Sequence, residues 1–407
     1  MERGTKPLSH LANWSVGPVD VFQAAKRPNR LKRQTTVEMN HEPYMRLALR
    51  LARKALGQTS PNPLVGALVV KEGRVVGAGY HRRAGAPHAE TEALREAGSG
   101  ARGATLYVTL EPCNHSGRTP PCCDAIIRSG LAHVVIAARD PNPITNGRGI
   151  ERLRREGIDV VTGVLEEAAR ELNAPFHKAM TSGLPLVIAK VGQSLDGKIA
   201  TTSGESRWIT SEKARQHGHQ LRRRVDAILV GINTVLQDDP VLTARAGRRR
   251  PARPLKVVVD TRLRMPPTAR LLSDESPSPT LIATTARTNA KRAPLVREGV
   301  EVMTLPARQG RVPLRMLCRR LVRRGIQSVL IEGGGEVLAS AFAERLVDRV
   351  IFFIAPILIG GRTAPGSLGG PGIARLSQAI RLEGLSVRRI GADLCVEARV
   401  VYPPTAS

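Results

Sequence analysis

The 407 residues carry 62 Lys and Arg against 35 Asp and Glu, a formal net charge of +27 at pH 7, with 42% hydrophobic and 3% aromatic residues. That length supports two or three domains with sizeable cores. No apolar run reaches about 18 residues, which excludes a membrane-spanning helix. The scarcity of aromatic rings argues against a stacking platform for single-stranded nucleic acid despite the charge. Five Cys, three of them in one short loop, fit a reducing cytoplasmic setting better than a disulfide scaffold.

Residues 1–40 show no periodicity and contain the basic run Lys26-Arg27-Pro28-Asn29-Arg30-Leu31-Lys32-Arg33. With no apolar h-region this is not a secretory signal. A disordered basic extension is expected, or an over-long start with Met39 as the initiator. Ordered pattern begins at Glu42. Residues 42–57 read as an amphipathic helix with Met45, Leu47, Ala48, Leu51 and Leu56 on its apolar stripe. Pro61-Asn62-Pro63 breaks it, and strands at 64–70 and 74–80 flank a hairpin turn at Lys71-Glu72-Gly73. A helix after His88, a strand at 105–109, a Cys-containing loop, a helix at 122–129, a strand at 133–138, a helix at 147–155, a strand at 158–162 and a helix at 165–178 follow.

Two motifs in this half carry chemistry. The first is Pro87-His88-Ala89-Glu90. The second runs from Thr109-Leu110-Glu111-Pro112-Cys113 to Thr119-Pro120-Pro121-Cys122-Cys123-Asp124. One His and two Cys are the ligand set of a catalytic zinc, with a fourth position open to water. His88, Cys113 and Cys122 are the candidate ligands. Glu90, in the first turn of the helix that His88 opens, is the candidate proton carrier. Zinc brings the pKa of bound water to about 7. His-x-Glu with Pro-Cys and a further Cys is the signature of zinc deaminases of nucleobases, normally as Pro-Cys-x-x-Cys. Here the second Cys lies farther on, and Cys123 competes with Cys122 for the role. Cys122 follows Pro120-Pro121 and opens a helix, where a thiolate is favoured. The plainer alternative is a chance cluster of Cys in a turn-rich loop.

Residues 179–186 read as a linker, giving domains at 41–183 and 184–403. The second half alternates again, with Val/Ile/Leu-rich strands at 186–191, 227–231, 255–260, 280–284, 300–304, 328–332, 350–355 and 393–401, and helices notably at 211–224 and 312–323. Continuous apolar runs of this kind suit buried parallel strands. Glu332-Gly333-Gly334-Gly335-Glu336 sits between a strand and a helix, where glycines let backbone N–H groups approach a phosphate; a plain tight turn reads equally well. Arg245 to Arg253 reads as a solvated basic loop.

Residues 42–403 resemble the bifunctional deaminase–reductase of riboflavin biosynthesis. The motifs carrying the resemblance are Ser60-Pro61-Asn62-Pro63-Leu64-Val65-Gly66, His88-Ala89-Glu90, the Cys113 to Cys122 loop at its full spacing, and Arg139-Asp140-Pro141-Asn142-Pro143. In the second half they are Ser194-Leu195-Asp196-Gly197-Lys198, Gly204-Glu205-Ser206-Arg207-Trp208-Ile209-Thr210, Asp238-Asp239-Pro240, Glu332-Gly333-Gly334 and Ala355-Pro356. The resemblance implies an α/β chain with an N-terminal cytidine-deaminase-like three-layer domain and a C-terminal dihydrofolate-reductase-like domain. It implies zinc-dependent removal of the 2-amino group of 2,5-diamino-6-(5-phosphoribosylamino)pyrimidin-4(3H)-one. NADPH reduction of the ribosyl chain would follow, giving 5-amino-6-(5-phosphoribitylamino)uracil.

Position by position, the resemblance puts Asn62, His81, His115 and Arg118 near the deaminase substrate, and Ser206, Arg222, Leu242, Arg245 and Glu332 near the reductase substrate. It puts Gly192, Trp208, Thr234, Asp238, Thr261 and the run Gly334, Gly335, Glu336, Val337, Leu338, Ala339 and Ser340 at NADPH, with Lys190 and Asp238 where the hydride passes. The expected partners are a phosphorylated pyrimidine and a second copy of the chain in a dimer or tetramer, with neither nucleic acid nor membrane. The competing readings are a nucleic-acid deaminase with an accessory domain, a deaminase with a decayed reductase half, and a zinc-stabilised binding protein without turnover.

Overall fold

The computed structural model describes residues 40–115, 120–244, 253–273 and 278–404. The expected 1–40 extension, Arg118, Arg245 and most of the 245–253 loop lie outside the described residues. From His41 onward the chain forms one compact unit, built on two sheets.

The first half runs α1 (Glu42–Arg53), β1 (Gly66–Lys71), β2 (Arg74–Tyr80), α2 (Ala89–Ala97), β3 (Thr105–Leu110), α3 (Cys122–Arg128), β4 (His133–Ala138), α4 (Arg148–Arg155), β5 (Asp159–Thr162), α5 (Glu166–Leu172) and α6 (Ala174–Ser182). Its five-stranded sheet has the order β2-β1-β3-β4-β5. β1 is antiparallel to β2 and β3, and β3, β4 and β5 are parallel. Two glycines let the helices close onto the sheet. A Cβ on Gly66 would lie 2.1 Å from the Ala48 carbonyl oxygen of α1, and one on Gly79 would lie 2.3 Å from that of Ala89 in α2. Gly79 pairs with Ala67, the neighbour of Gly66, and side chains alternate along a strand, so α1 and α2 cover opposite faces. This gives the three layers expected. The core between them includes Met45, Leu68, Leu106, Tyr107, Ile126, Ile136 and Leu153.

The second half runs β6 (Leu186–Ser194), α7 (Glu212–Arg222), β7 (Ala227–Gly231), α8 (Ile232–Asp238), β8 (Leu255–Val259), β9 (Thr280–Thr284), α9 (Asn289–Arg297), β10 (Glu301–Thr304), α10 (Leu314–Val322), β11 (Ser328–Glu332), α11 (Gly335–Ala343), β12 (Arg349–Ala355), β13 (Arg381–Ile390) and β14 (Asp393–Val401). The sheet order is β10-β9-β8-β7-β11-β6-β12-β14-β13. Strands β10 through β12 in that order are parallel, and β14 and β13 are antiparallel additions at one edge. Ligand sites in such sheets gather at the carboxyl ends of parallel strands, where connections leave in opposite directions. β6, β11, β7 and β8 end there with Lys190, Glu332, Gly231 and Asp260 close by.

Several expected elements need correction. The supposed linker 179–186 is mostly structured: α6 continues to Ser182 and β6 opens at Leu186. The single helix expected at 165–178 is two, broken at Asn173. Its buried side chain accepts from Leu64 N–H (2.8 Å) and donates to Leu64 O (2.9 Å), and Pro175 starts the next helix. The first helix stops at Arg53, short of Gly57, whose backbone is left-handed and where a Cβ would lie 2.2 Å from the Arg223 carbonyl oxygen. Strand β13 is absent from the sequence reading because, on the outer edge, it keeps Arg381, Glu383 and Ser386 among exposed leucines and shows no clean apolar alternation. Asn233-Thr234-Val235, to which the sequence reading assigned no element, belongs to helix α8.

Candidate active sites

In the first half, His88 is the N-cap of α2 and Cys122 the first residue of α3, while Cys113 lies just beyond β3. Their ligand atoms converge: the His88 and Cys sulfur donors all lie within 4.8 Å of one another, the group of this kind found among the described residues. His88 Nδ1 is 3.1 Å from Cys122 Sγ and 3.6 Å from Cys113 Sγ. The Cys122 backbone N–H donates to Cys113 Sγ at 3.3 Å. The Cys113 thiol is pulled down to about 4, chiefly by its hydrogen bond with Cys122, against burial and with help from His88. A thiolate, an imidazole nitrogen and a second sulfur within 4.8 Å of one another fit zinc. Cys123 does not compete. Its Sγ turns away into the core, toward the carbonyls of Pro112 (3.6 Å) and Gly149 (3.8 Å).

Glu90 is 4% exposed, and its carboxyl interacts with His88, Cys113 and Cys122. Burial raises its carboxyl pKa, opposed by the charge of His88 and by a hydrogen bond with Cys122. His81 lies edge-on to His88 at 5.5 Å between ring centres. Its Nδ1–H donates to Pro87 O (3.1 Å), so Nε2 accepts from Asn62 Nδ2 (3.1 Å). Burial lowers the His81 pKa, which suits this neutral tautomer. His115 Nδ1 is buried with no hydrogen-bond partner among the described residues. Four of the expected residues thus meet at the metal position, Asn62 and His81 stand beside them, and His115 offers an unused nitrogen.

One important group carried no assigned role in the sequence reading. Glu111 is buried at the end of β3, and its carboxylate accepts the backbone N–H groups of Gly147 (2.9 Å), Gly149 (3.0 Å), Asp140 (3.2 Å) and Ile150 (3.4 Å). The signal available was a charged residue closing an otherwise apolar strand. Its partners lie some thirty to forty positions away, where local pattern is blind.

In the second half, a cleft of about 1210 Å³ opens at the strand ends. Its lining includes Lys190, Gly192, Ser206, Trp208, Arg222, Thr234, Asp238, Leu242, Thr261 and Glu332, and, from the expected run, Gly334 through Leu338 and Ser340. Ala339 is the exception: it is not part of the lining and packs toward Gly370, whose added Cβ would lie 3.1 Å away. Arg222 grips Glu332 with both arms, Nε to Oε1 at 2.6 Å and a terminal nitrogen to Oε2 at 2.9 Å, and also donates to the Thr243 carbonyl at 2.9 Å. Lys190 Nζ stands 3.9 Å from the same carboxylate. Burial lowers the Lys190 pKa, against the pull of Glu332. Ser206 Oγ donates to Asp238 at 2.6 Å. Trp208, 67% exposed, carries the Arg215 guanidinium 4.4 Å over its ring.

The glycine turn ahead of α11 lines this cleft. Gly333 and Gly334 hold φ of +77° and +80°, and a Cβ on Gly334 would sit 3.4 Å from Thr234 Oγ1. Gly334 brings no side-chain cap to α11, whose first turn lines the cleft, and an uncapped helix N-terminus suits a phosphate. Among the described residues no helix is long and apolar enough to cross a membrane.

Comparison with known proteins extends these features. A family model described as the RibD C-terminal domain matches residues 185–396, and one described as the cytidine and deoxycytidylate deaminase zinc-binding region matches residues 38–138. The riboflavin biosynthesis protein RibD of Aquifex aeolicus is 46% identical over 87% of this chain and 96% of its own length. That of Escherichia coli K12 is 42% identical over 88% of this chain and 99% of its own. Among solved structures, RibD of Acinetobacter baumannii superimposes with a TM-score of 0.81 at 37% identity, covering 88% of this chain and 98% of the other. A Thermotoga maritima diaminohydroxyphosphoribosylaminopyrimidine deaminase/5-amino-6-(5-phosphoribosylamino)uracil reductase gives 0.77 at 36%, covering 89% and 99%.

Proposed function

The chain belongs to the RibD family, the bifunctional deaminases and reductases of riboflavin biosynthesis, and we propose from that premise which of its residues act at each centre. His88, Cys113 and Cys122 hold zinc. At such a site zinc makes water acidic enough to ionise near neutral pH, at about 7. The substrate is the diaminopyrimidinone phosphoribosylamine whose 2-amino group leaves as ammonia. Glu90 takes a proton from the attacking water and delivers it to a ring nitrogen, then takes the remaining proton of the added hydroxyl and passes it to the amine, which departs as ammonia as the C=O forms. Its burial favours a carboxyl that both accepts and releases protons. Asn62 and His81, locked to each other and to Pro87 O, orient the ring, and His115 supplies a further polar contact. Arg118 is the phosphate partner, since a guanidinium fork matches phosphate oxygens.

At the second centre NADPH, when bound, would supply the hydride that reduces the ribosyl chain. The amides of α11 and the glycines at 333–335 cradle its phosphates, Trp208, Thr234 and Thr261 line its path, and Asp238 fixes Ser206 beside the sugar. Glu332 holds Arg222 in the cleft, with Lys190 Nζ 3.9 Å from the same carboxylate. Leu242 and Arg245 complete the substrate side. We place the work in the cytoplasm, on small phosphorylated molecules and not nucleic acid. Self-association through the β13 edge is supported by its exposed Leu382, Leu385 and Val387.

The observation carrying this reading is the convergence of three donor atoms within 4.8 Å with the buried Glu90 carboxyl facing them. The test is to supply the diaminopyrimidine phosphate with and without NADPH and identify the products. Ammonia should appear without NADPH, and NADPH should be consumed only once the deaminated intermediate exists. NADPH oxidation on the undeaminated compound, or no ammonia at all, contradicts the reading.

A further inference from the structure

We propose that Arg152 is a positioning residue for the metal centre, a clasp that holds the two cysteine-bearing segments at a fixed separation. The inference rests on the zinc reading above and deepens it. Arg152 lies on α4 and touches neither sulfur's hydrogen-bond partners. One terminal nitrogen donates to Asn114 Oδ1 at 2.6 Å, and the other meets Asp124 Oδ1 at 2.5 Å. Asn114 directly follows Cys113, and Asp124 sits in the first turn of the helix that Cys122 opens. A single planar fork therefore spans both ends of the loop that separates the ligands. A guanidinium holds two partners at a set distance because its donors are rigidly arrayed; an ammonium does not.

The clasp has a firm base. Glu111 gathers the amides of Gly147, Gly149 and Ile150 at the start of α4, at 2.9, 3.0 and 3.4 Å. Gly149 passes so close to the strand end that a Cβ there would lie 2.2 Å from Pro112 O. The N-terminus of α4 is thus pinned to the two residues preceding Cys113, and its next turn reaches across to Asp124. The route from Cys113 through Glu111, α4, Arg152 and Asp124 to Cys122 closes a ring of contacts around the ligand pair. Cys123 fills its interior against Pro112 O and Gly149 O.

The Arg152 and Asp124 side chains are 32% and 29% exposed, so water competes with the pair and its loss should cost the fold little. Its effect belongs instead on the metal, because outer partners of ligand-bearing segments commonly change metal affinity by about 10- to 100-fold.

The test uses the full chain loaded with zinc, with metal transfer to a chromogenic chelator as the readout. Cobalt replacing zinc gives a second readout, the thiolate-to-cobalt absorption. Arg152→Met should release zinc about tenfold faster or more and shift the cobalt bands, while its thermal midpoint and its NADPH-dependent turnover of supplied deaminated intermediate stay near wild type. Arg152→Lys should not rescue it. Arg154→Met, on the same helix as Arg152, removes a contact to the Val160 carbonyl of β5 and should release zinc at the wild-type rate. If Arg152→Met does not fold, Asn114→Ala and Asp124→Ala each remove one end of the clasp and should each speed release. Wild-type release from Arg152→Met, or from both single-end variants, overturns the proposal while leaving the zinc reading intact. A wild-type chain that takes up no zinc sinks the metal centre and the clasp together.

Discussion

Glu332 shows how one buried carboxylate can set the character of a cleft. Burial pushes its carboxyl up, but the charge of Arg222, its two hydrogen bonds and the nearby Lys190 overcome this and hold it at about 2. Its folded value lies below the ordinary 4.5, so the unfolded chain binds the proton more readily. The stabilisation is therefore fully present above about pH 4.5 and is lost as the pH falls toward about 2. A shift of that size corresponds to on the order of 3 kcal/mol. Denaturant titrations should show the stability gap between wild type and Glu332→Gln shrinking from about pH 5 to about pH 3; a constant gap contradicts this assignment. Glu332→Ala leaves Arg222 and Lys190 facing each other without their counter-charge. It should raise the KM for the reductase substrate while NADPH still binds, checked by cofactor titration beside steady-state kinetics.

Elements place the chemistry, and their seating depends on residues with no chemistry of their own. Gly79 lets α2 lie against β2; a Cβ there would come within 2.3 Å of Ala89 O and 2.7 Å of Ala93 N, both backbone atoms of the helix. Gly79→Ala should lift α2, carrying His88 and Glu90 with it. A misplacement near 1 Å can cost about 100-fold in rate. Ammonia release should fall by that order, while reduction of supplied intermediate continues. Unchanged ammonia release would show that α2 is not held by this approach. The apolar strands β4, β7, β9, β11 and β14 were readable to the residue because both their faces, or their whole inner face, are apolar. Edge strand β13 and the break at Asn173 were not. The first lacks a buried face on most of its length, and the second is decided by a side chain reaching back to Leu64.

At the scale of the molecule, the two halves are tied beside the first site and at the amino ends of β11 and β12, away from the cleft of the second. Gln327, just before β11, donates to Pro61 O at 2.8 Å, and Ser60 donates to Gly325 O at 3.2 Å. The same short loop presents Asn62 to His81. A second tie joins Lys178 to Asp348 at 2.5 Å, and a third joins Arg349 to Glu171 at 2.6 Å. Gln327→Ala removes one hydrogen bond of about 1 kcal/mol. If that bond steadies the Asn62 loop, the KM for deamination should rise roughly fivefold with kcat little changed; an unaltered KM would make the tie purely structural. Such ties, like the Glu111 and Arg152 contacts, join positions far apart in the chain and leave no local trace. The convergence of His88, Cys113 and Cys122 was legible because His, Cys and Glu at that spacing spell one chemistry whatever the surrounding fold, and the lining of the second cleft only through family resemblance.

The most direct measurement of the central claim is metal analysis with X-ray absorption on the purified chain, beside Cys113→Ser and Cys122→Ser. The account predicts one zinc per chain, bound by two sulfurs and one imidazole nitrogen, with affinity collapsing in either variant and ammonia release lost with it. Zinc absent from the wild-type chain, or held undiminished when either sulfur is gone, would contradict it.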